Sequence, residues 1–253
     1  MEARHILGVR VDATSYGAVA RDVIEWAKER QSRYISIATV NNIMRAYDDV
    51  NFHRVMREAD IVTSDGMPLV WGLRMLGVAS ASRVYGPELT TAVLREAENA
   101  GLPVALYGGT PAGLQAFTGF VRRQYPRVNI VYSNSPPFRS LDDREMGAVT
   151  DQINVSGAAL VFVGLSTPKQ ECWMARQKGR LMAPMLGIGA AFDFLGGLKP
   201  QAPRWMRDTG LEWLFRLITE PRRLWRRYLK DNPRFVVLFV FQILHLRKFL
   251  QVE

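Results

Sequence analysis

Cysteine and histidine are scarce in this chain. The single cysteine, Cys172, excludes an internal disulfide, and His5, His53 and His245 lie too far apart along the sequence to read as a zinc cluster. No Asp-x-Asp occurs anywhere, so the usual acidic pair that holds a metal between phosphates is missing. The first residues, Met1 to Val11, lack the basic start and continuous apolar stretch of a secretory signal, which predicts a chain kept in a reducing cytosol. There is no internal repeat and no low-complexity linker. Phe235 to Leu244 is almost wholly apolar, but a bilayer span needs roughly 20 such residues. It should therefore lie on or against something and not cross it.

What is present is enough for a full core. A length of 253 residues with 48% hydrophobic content predicts one domain, or one domain with an appendage. The formal charge of +9 asks for a polyanionic partner: nucleic acid, an anionic lipid surface or a diphosphate. From Lys199 onward there are twelve cations against five acids, a net +7 of that +9. The body is nearly neutral, and the tail is basic.

From residue 16 to about 195, helical and strand patterns alternate, the signature of a largely parallel sheet with helices on both faces. Strands are expected at Tyr34 to Thr39, Ile61 to Thr63, Val104 to Tyr107, Val128 to Tyr132, Leu160 to Val163 and Met185 to Ile188. Helices are expected over Tyr16 to Arg30, Asn42 to Arg57, Pro87 to Ala100, Pro111 to Tyr125 and Pro168 to Lys178. Ser140 is expected to cap a further helix carrying Asp142, Asp143 and Glu145 in its first turn. Beyond residue 198 strand signals stop. Leu211, Leu214, Phe215 and Ile218 can share one helix face, as can Leu224, Trp225, Tyr228 and Leu229. Such stripes usually pack on a sheet, but Trp and Tyr interleaved with Arg and Lys beside an apolar run favour a membrane-surface element. The domain expectation is thus a catalytic body over 1–198 and a helical, membrane-associating appendage over 199–253.

Ligands of open parallel sheets collect at the carboxyl ends of the strands. Thr39-Val40-Asn41-Asn42 sets a hydroxyl and two amides at a helix start, where capping and ligand binding are equally natural roles. Asp65-Gly66 puts a carboxylate at a strand end, although Asp-Gly is also an ordinary turn pair. Gly108-Gly109-Thr110-Pro111 offers bare backbone amides beside a helix start, which favour a phosphate. Lys169-Gln170-Glu171 adds a cation, an amide and a carboxylate, and a solvated helix start accounts cheaply for Lys169 and Glu171. Asp193, between Phe192 and Phe194, needs a partner: a nucleobase amide or an internal backbone amide.

These segments, in this order, resemble the WecG/TagA/CpsF glycosyltransferases, glycosyltransferase family 26. The resemblance runs from about Thr39 to Tyr228, through Thr39-x-Asn41, Asp65-Gly66, Arg83-Val84-x-Gly86, Tyr107-Gly108-Gly109, Gly164-x-x-x-Pro168-Lys169-Gln170-Glu171 and Gly189-Ala190-x-Phe192-Asp193. It continues through Ala202-Pro203-x-Trp205, Gly210-Leu211-Glu212-Trp213-Leu214-Phe215-Arg216-Leu217 and Glu220-Pro221-Arg222-Arg223. It implies a Rossmann-like body and an inverting transferase that uses neither metal nor cofactor. The donor would be a UDP-sugar of N-acetylmannosamine, its uronic acid or glucose type. The acceptor would be a polyprenyl-diphosphate-linked saccharide, such as undecaprenyl diphosphate carries in exopolysaccharide synthesis. The tail would dock on the cytoplasmic face of the inner membrane and close the site; a homo-oligomer is compatible with the motifs. By motif match Asp65 would be the general base, with Thr39 and Asn41 near the sugar. Arg83 and Gln170 would line the substrate pocket beside Lys169 and Glu171, with Gly108 and Gly109 at the phosphate. Asp193 would contact the nucleotide, and Arg216, Arg223 and Arg226 would reach the diphosphate. Gln201 stands where many members have arginine, which bears on donor or acceptor identity.

Two other classes fit less well. A nicotinamide-dependent oxidoreductase would carry a full glycine fingerprint after the first strand, and Tyr34 to Thr39 is followed by none. A nucleic-acid-binding protein would spread its cations over a groove-reading face, whereas here they interleave with apolar residues in one tail.

Overall fold

Successive residues of a strand point to opposite sides of a sheet. In Val104-Ala105-Leu106-Tyr107, Val104 and Leu106 join one buried cluster and Ala105 and Tyr107 another. Leu160-Val161-Phe162-Val163 divides in the same way. Strands that are apolar on both faces belong in a parallel sheet covered on both sides. The computed structural model, which describes residues 1–139, 141–246 and 249, has that architecture.

The strands are β3 (Tyr34–Ala38), β4 (Ile61–Ser64), β5 (Val104–Gly108), β6 (Ile130–Asn134), β7 (Leu160–Gly164) and β8 (Met185–Gly187). They form one six-stranded sheet in the order β4-β3-β8-β7-β5-β6, parallel throughout. One face buries side chains of α1 (Tyr16–Lys28), α5 (Gly86–Asn99), α6 (Pro111–Gln124) and α9 (Ala191–Leu195). The other buries side chains of α2 (Val40–Asp48), α3 (Val50–Glu58), α4 (Met67–Met75), α7 (Asp143–Val155) and α8 (Lys169–Gln177). From β3 the chain steps outward to β4, and from β5 outward to β6 at the opposite edge. The loops leaving the carboxyl ends therefore converge over the middle of the sheet, where open α/β sheets bind ligands.

Several elements differ from the sequence expectation. A hairpin of β1 (Glu2–Ile6) and β2 (Val9–Ala13) precedes the first helix, docked by Asp12, whose carboxylate accepts the Val62 N–H at 2.7 Å. The single helix expected over Asn42 to Arg57 is two, because Asp49 is extended (φ −130°, ψ 110°) and its carboxylate caps α3 through the N–H groups of Asn51 and Phe52. Helix α4 was not expected after the Asp-Gly turn. Ser140 lies outside the described residues, and the cap of α7 is Asp142, which accepts the Glu145 N–H at 2.7 Å. The C-terminal stretch holds α10 (Arg204–Asp208), α11 (Glu212–Thr219) and α12 (Pro221–Ile243). The two apolar stretches read separately, around Leu224 and over Phe235 to Leu244, are one continuous 23-residue helix despite Pro233.

Helix α12 is anchored on the body. Phe235, Leu238 and Phe239 are buried in the same cluster as β1, α2 and α4. Gln242 accepts the Leu7 N–H at 2.8 Å and donates to the His5 carbonyl, and Arg234 forks onto Asp48 at 2.5 and 2.6 Å. Val236, Val237 and Val240 on the same stretch remain exposed. Among the described residues no helix is long and apolar enough to cross a membrane. Phe239 is 7% exposed and abuts Gly72, so Phe239→Ala should cost about 3 kcal/mol. Val236→Ala should cost no more than about 0.5 kcal/mol, with urea unfolding of the two variants as the comparison.

Candidate functional site

Two cavities lined by the motif residues open at the carboxyl ends of the strands. The larger, about 370 Å³, lies over β5, β7 and β8 and is lined by Tyr107, Gly109, Lys169, Trp173, Phe192 and Asp193, with Lys199 and Arg223 reaching in from the C-terminal segment. Tyr107 and Trp173 stack with ring centroids 4.5 Å apart. The smaller, about 110 Å³, lies over β3 and β4 and is lined by Thr39, Asn41, Asp65 and Arg83 from the body. Its far wall comes from α11 and α12: Glu212, Trp213, Arg216, Arg227, Tyr228 and Asp231.

Asp65 follows β4 directly, and its N–H donates to the Ala38 carbonyl at 2.9 Å, which ties it to the end of β3. Arg83 grips it from the loop before α5. Its Nη2 donates to Asp65 Oδ1 at 3.0 Å and to Glu212 Oε2 at 2.5 Å, its Nε donates to the Asp65 carbonyl, and its Nη1 donates to the Arg207 carbonyl at 3.2 Å. The guanidinium also lies 4.4 Å from the Tyr85 ring centroid. Burial pushes the Asp65 carboxyl up to about 6; Arg83 opposes that rise and Glu212 adds to it.

The residues expected at the site separate into three groups. Asp65, Thr39, Asn41, Arg83 and Arg216 share the smaller cavity, and Gly109, Lys169, Asp193 and Arg223 the larger. Gly108, Gln170, Glu171 and Arg226 line neither. Gly108 is needed by the backbone, since at φ +119° a Cβ there would sit 2.7 Å from the Gly164 carbonyl. The amides after β5 are not bare: Gly109 N–H donates to Gly164 O at 2.8 Å, and Thr110 Oγ1 caps Gly113 N–H at 3.0 Å. Gln170 is buried and accepts the Gly189 N–H at 2.8 Å, so it shapes the loop after β8 from beneath. Arg226 is exposed, its guanidinium 5.2 Å from the Trp225 ring centroid.

Two local readings are corrected. Glu171 is fully buried, not part of a solvated helix start; its Oε1 accepts from Asn42 Nδ2 at 2.9 Å and Thr167 Oγ1 at 3.0 Å. Asn42 in turn accepts the Thr39 N–H and hydroxyl at 3.1 and 3.0 Å, so this buried group braces the loops after β3 and β7 together. Within the chain, Asp193 pairs not with a backbone amide but with Lys199, at 3.0 Å, which also reaches Glu220 at 3.0 Å. Sequence reasoning passed over Glu212, Arg207 and Arg227. Glu212 stood in a quoted motif, but its partner is 129 residues away.

The Nε atoms of Arg216 and Arg227 are buried without a hydrogen-bond partner among the described residues. With Arg223 and Lys199 they place cations on the C-terminal side of both cavities, in the smaller one beside Glu212 and Asp231. The site can thus hold an anionic group opposite a carboxylate of raised proton affinity, the pairing that proton removal with expulsion of a phosphate requires.

A family model described as the glycosyl transferase WecG/TagA/CpsF family matches residues 4–249, nearly the whole chain.

Burial pushes the Glu171 carboxyl above its ordinary value. The fold therefore keeps a proton that the unfolded chain releases above about pH 4.3, and wild-type stability falls as pH rises from there through the folded value. Glu171→Gln retains an acceptor for Asn42 and Thr167 and cannot ionise. Its urea midpoint relative to wild type should improve between about pH 5 and about pH 8; parallel pH dependences would mean that Glu171 is ionised in the fold.

Proposed function

Because the chain belongs to the WecG/TagA/CpsF glycosyltransferase family, we propose that it transfers a sugar from a UDP-sugar to a polyprenyl-diphosphate-linked acceptor with inversion, needing no metal. Asp65 is the base in this reading. It takes the proton of the acceptor hydroxyl as that oxygen bonds to the anomeric carbon, while the bond from that carbon to the UDP oxygen breaks on the opposite face. Carboxylates with proton affinity near the working pH serve this step well, and the rise of Asp65 to about 6 in a cavity facing Arg216 and Arg227 is the observation that carries the proposal.

The sugars occupy the smaller cavity, beside Thr39 and Asn41. The nucleotide occupies the larger, where the Tyr107–Trp173 stack and Phe192 offer apolar walls and Asp193 a hydrogen-bond acceptor. Charge developing on the leaving diphosphate is met by Arg216 and Arg227 on one side and by Lys199 and Arg223 on the other, fixed donors that need no reorganisation during the step. Lys169, exposed at the rim, adds to the same field.

The C-terminal helices also suit an anionic lipid surface. Trp225, Leu229, Val236 and Val240 on α12, with Leu244 at its C-cap, recur at four- and seven-residue intervals and are all exposed. Arg222, Arg226 and Lys230 flank the first part of that stripe and are exposed too. An apolar stripe bordered by cations lies in a headgroup region with its charges toward the phosphates. This is the surface on which a polyprenyl-linked acceptor is found, and Arg226 fits the headgroup better than the UDP diphosphate.

Asp65→Asn should lower turnover about a thousand-fold while UDP still raises the melting temperature as in wild type, in EDTA as in magnesium. UDP release from UDP-glucose and UDP-N-acetylmannosamine would be followed with a polyprenyl-diphosphate saccharide. The kcat/KM profile should fall on the acid side with a midpoint near 6, as Asp65 takes up its proton. An active Asp65→Asn enzyme removes the base assignment. In co-sedimentation with phosphatidylglycerol vesicles, Leu229→Glu should weaken binding about tenfold; equal binding would place the lipid contact elsewhere.

A further inference from the structure

Arg83 has an unusual set of partners for a cation beside a base. Two of its acceptors belong to Asp65 and two to the C-terminal helices, the Glu212 carboxylate and the Arg207 carbonyl. The side chains of Arg83 and Glu212 are only 16% and 12% exposed, so the contact is screened little by water. One nitrogen, Nη2, serves both carboxylates, with the shorter bond to Glu212. Arg83 has few donors left to spend on a ligand. Its visible work is to connect Asp65 to α11.

We infer that Glu212 is a positioning residue for Asp65: by sharing the Arg83 guanidinium it weakens that cation's hold on the carboxylate when the C-terminal helices are docked. Without Glu212 and the Arg207 carbonyl, Arg83 keeps only Asp65, and an ordinary arginine–carboxylate pair is a poor proton acceptor. With them, the cation is divided between two acids and the base regains affinity for a proton. Docking of the tail thus does more than cover the smaller cavity; it switches the carboxylate from a salt-bridge partner to a base. The inference rests on the reading of Asp65 as that base.

The groups facing Asp65 are few. Arg83 and Arg216 are cations that favour its ionised form, and Glu212 opposes it. Tyr16 and Tyr85 lie near, both held neutral by burial. Arg227 and Asp231 face it from α12 across the cavity. Glu212 is the acid whose removal alters this balance while a glutamine there can still accept from Arg83.

The test is the pH titration of the Asp65 carboxyl carbon by 13C NMR in the full chain, its resonance assigned by its loss in Asp65→Asn. Wild type should titrate near 6. Glu212→Gln should move the midpoint down by about one pH unit, and the acid limb of kcat/KM for UDP release from UDP-glucose or UDP-N-acetylmannosamine should move with it, leaving UDP affinity unchanged. Glu212→Asp, which keeps the charge, should return the midpoint most of the way. An unmoved midpoint in a folded Glu212→Gln protein overturns the inference and leaves the base assignment standing. A moved midpoint together with an active Asp65→Asn enzyme keeps the coupling but removes the catalytic reading on which its purpose rests.

Discussion

One guanidinium shared between two carboxylates holds the working end of this protein together. Arg83 joins the loop after β4 to helix α11, and so joins the sheet to the C-terminal helices at the point where the smaller cavity closes. Ion pairs this poorly hydrated must be matched on every side, because an uncompensated buried charge is costly. Here the match comes from two acids, two backbone carbonyls and the Tyr85 ring. Without the C-terminal helices Arg83 keeps Asp65 as its counter-charge, whereas Glu212 would lose its partner. The loop after β4 and the docked C-terminal helices therefore share one electrostatic arrangement.

The rest of the architecture serves that arrangement by keeping the sheet rigid beneath it. Both faces of the sheet are buried, and buried polar groups brace the loops from below: Gln170 under the loop after β8, and the Glu171, Asn42 and Thr39 chain under the loops after β7 and β3. Such hydrogen-bonded internal networks fix geometry, since each bonded member has little freedom to turn away. The motif residues divide accordingly. Some face the cavities, while Gly108, Gln170 and Glu171 hold the walls in place without lining them.

Helix α12 has two incompatible surfaces on one rod. Phe235, Leu238 and Phe239 enter the core, while Trp225, Leu229, Val236 and Val240 stay in the open among arginines. The position of that second stripe on the helix that also lines the smaller cavity puts any surface it meets next to the site.

Periodicity and composition alone determined much of this protein. The alternation of strands and helices, the parallel sheet buried on both faces, the basic tail and the importance of strand ends all follow from local pattern, because side-chain direction repeats every two residues in a strand and every 3.6 in a helix. Asp65, Thr39 and Asn41 could be singled out because strand ends are where ligands collect. What pattern cannot carry is pairing across distance. That Glu212 meets Arg83, that Lys199 pairs with Asp193, and that Glu171 is sealed inside beside Asn42 were decided only when the chain was folded, since each contact depends on how separate segments come together. The break at Asp49 and the hairpin before α1 were hidden for a related reason: a carboxylate capping one helix and a short strand pair docked through Asp12 and its buried Ile6, Val9 and Val11 are stabilised by neighbours.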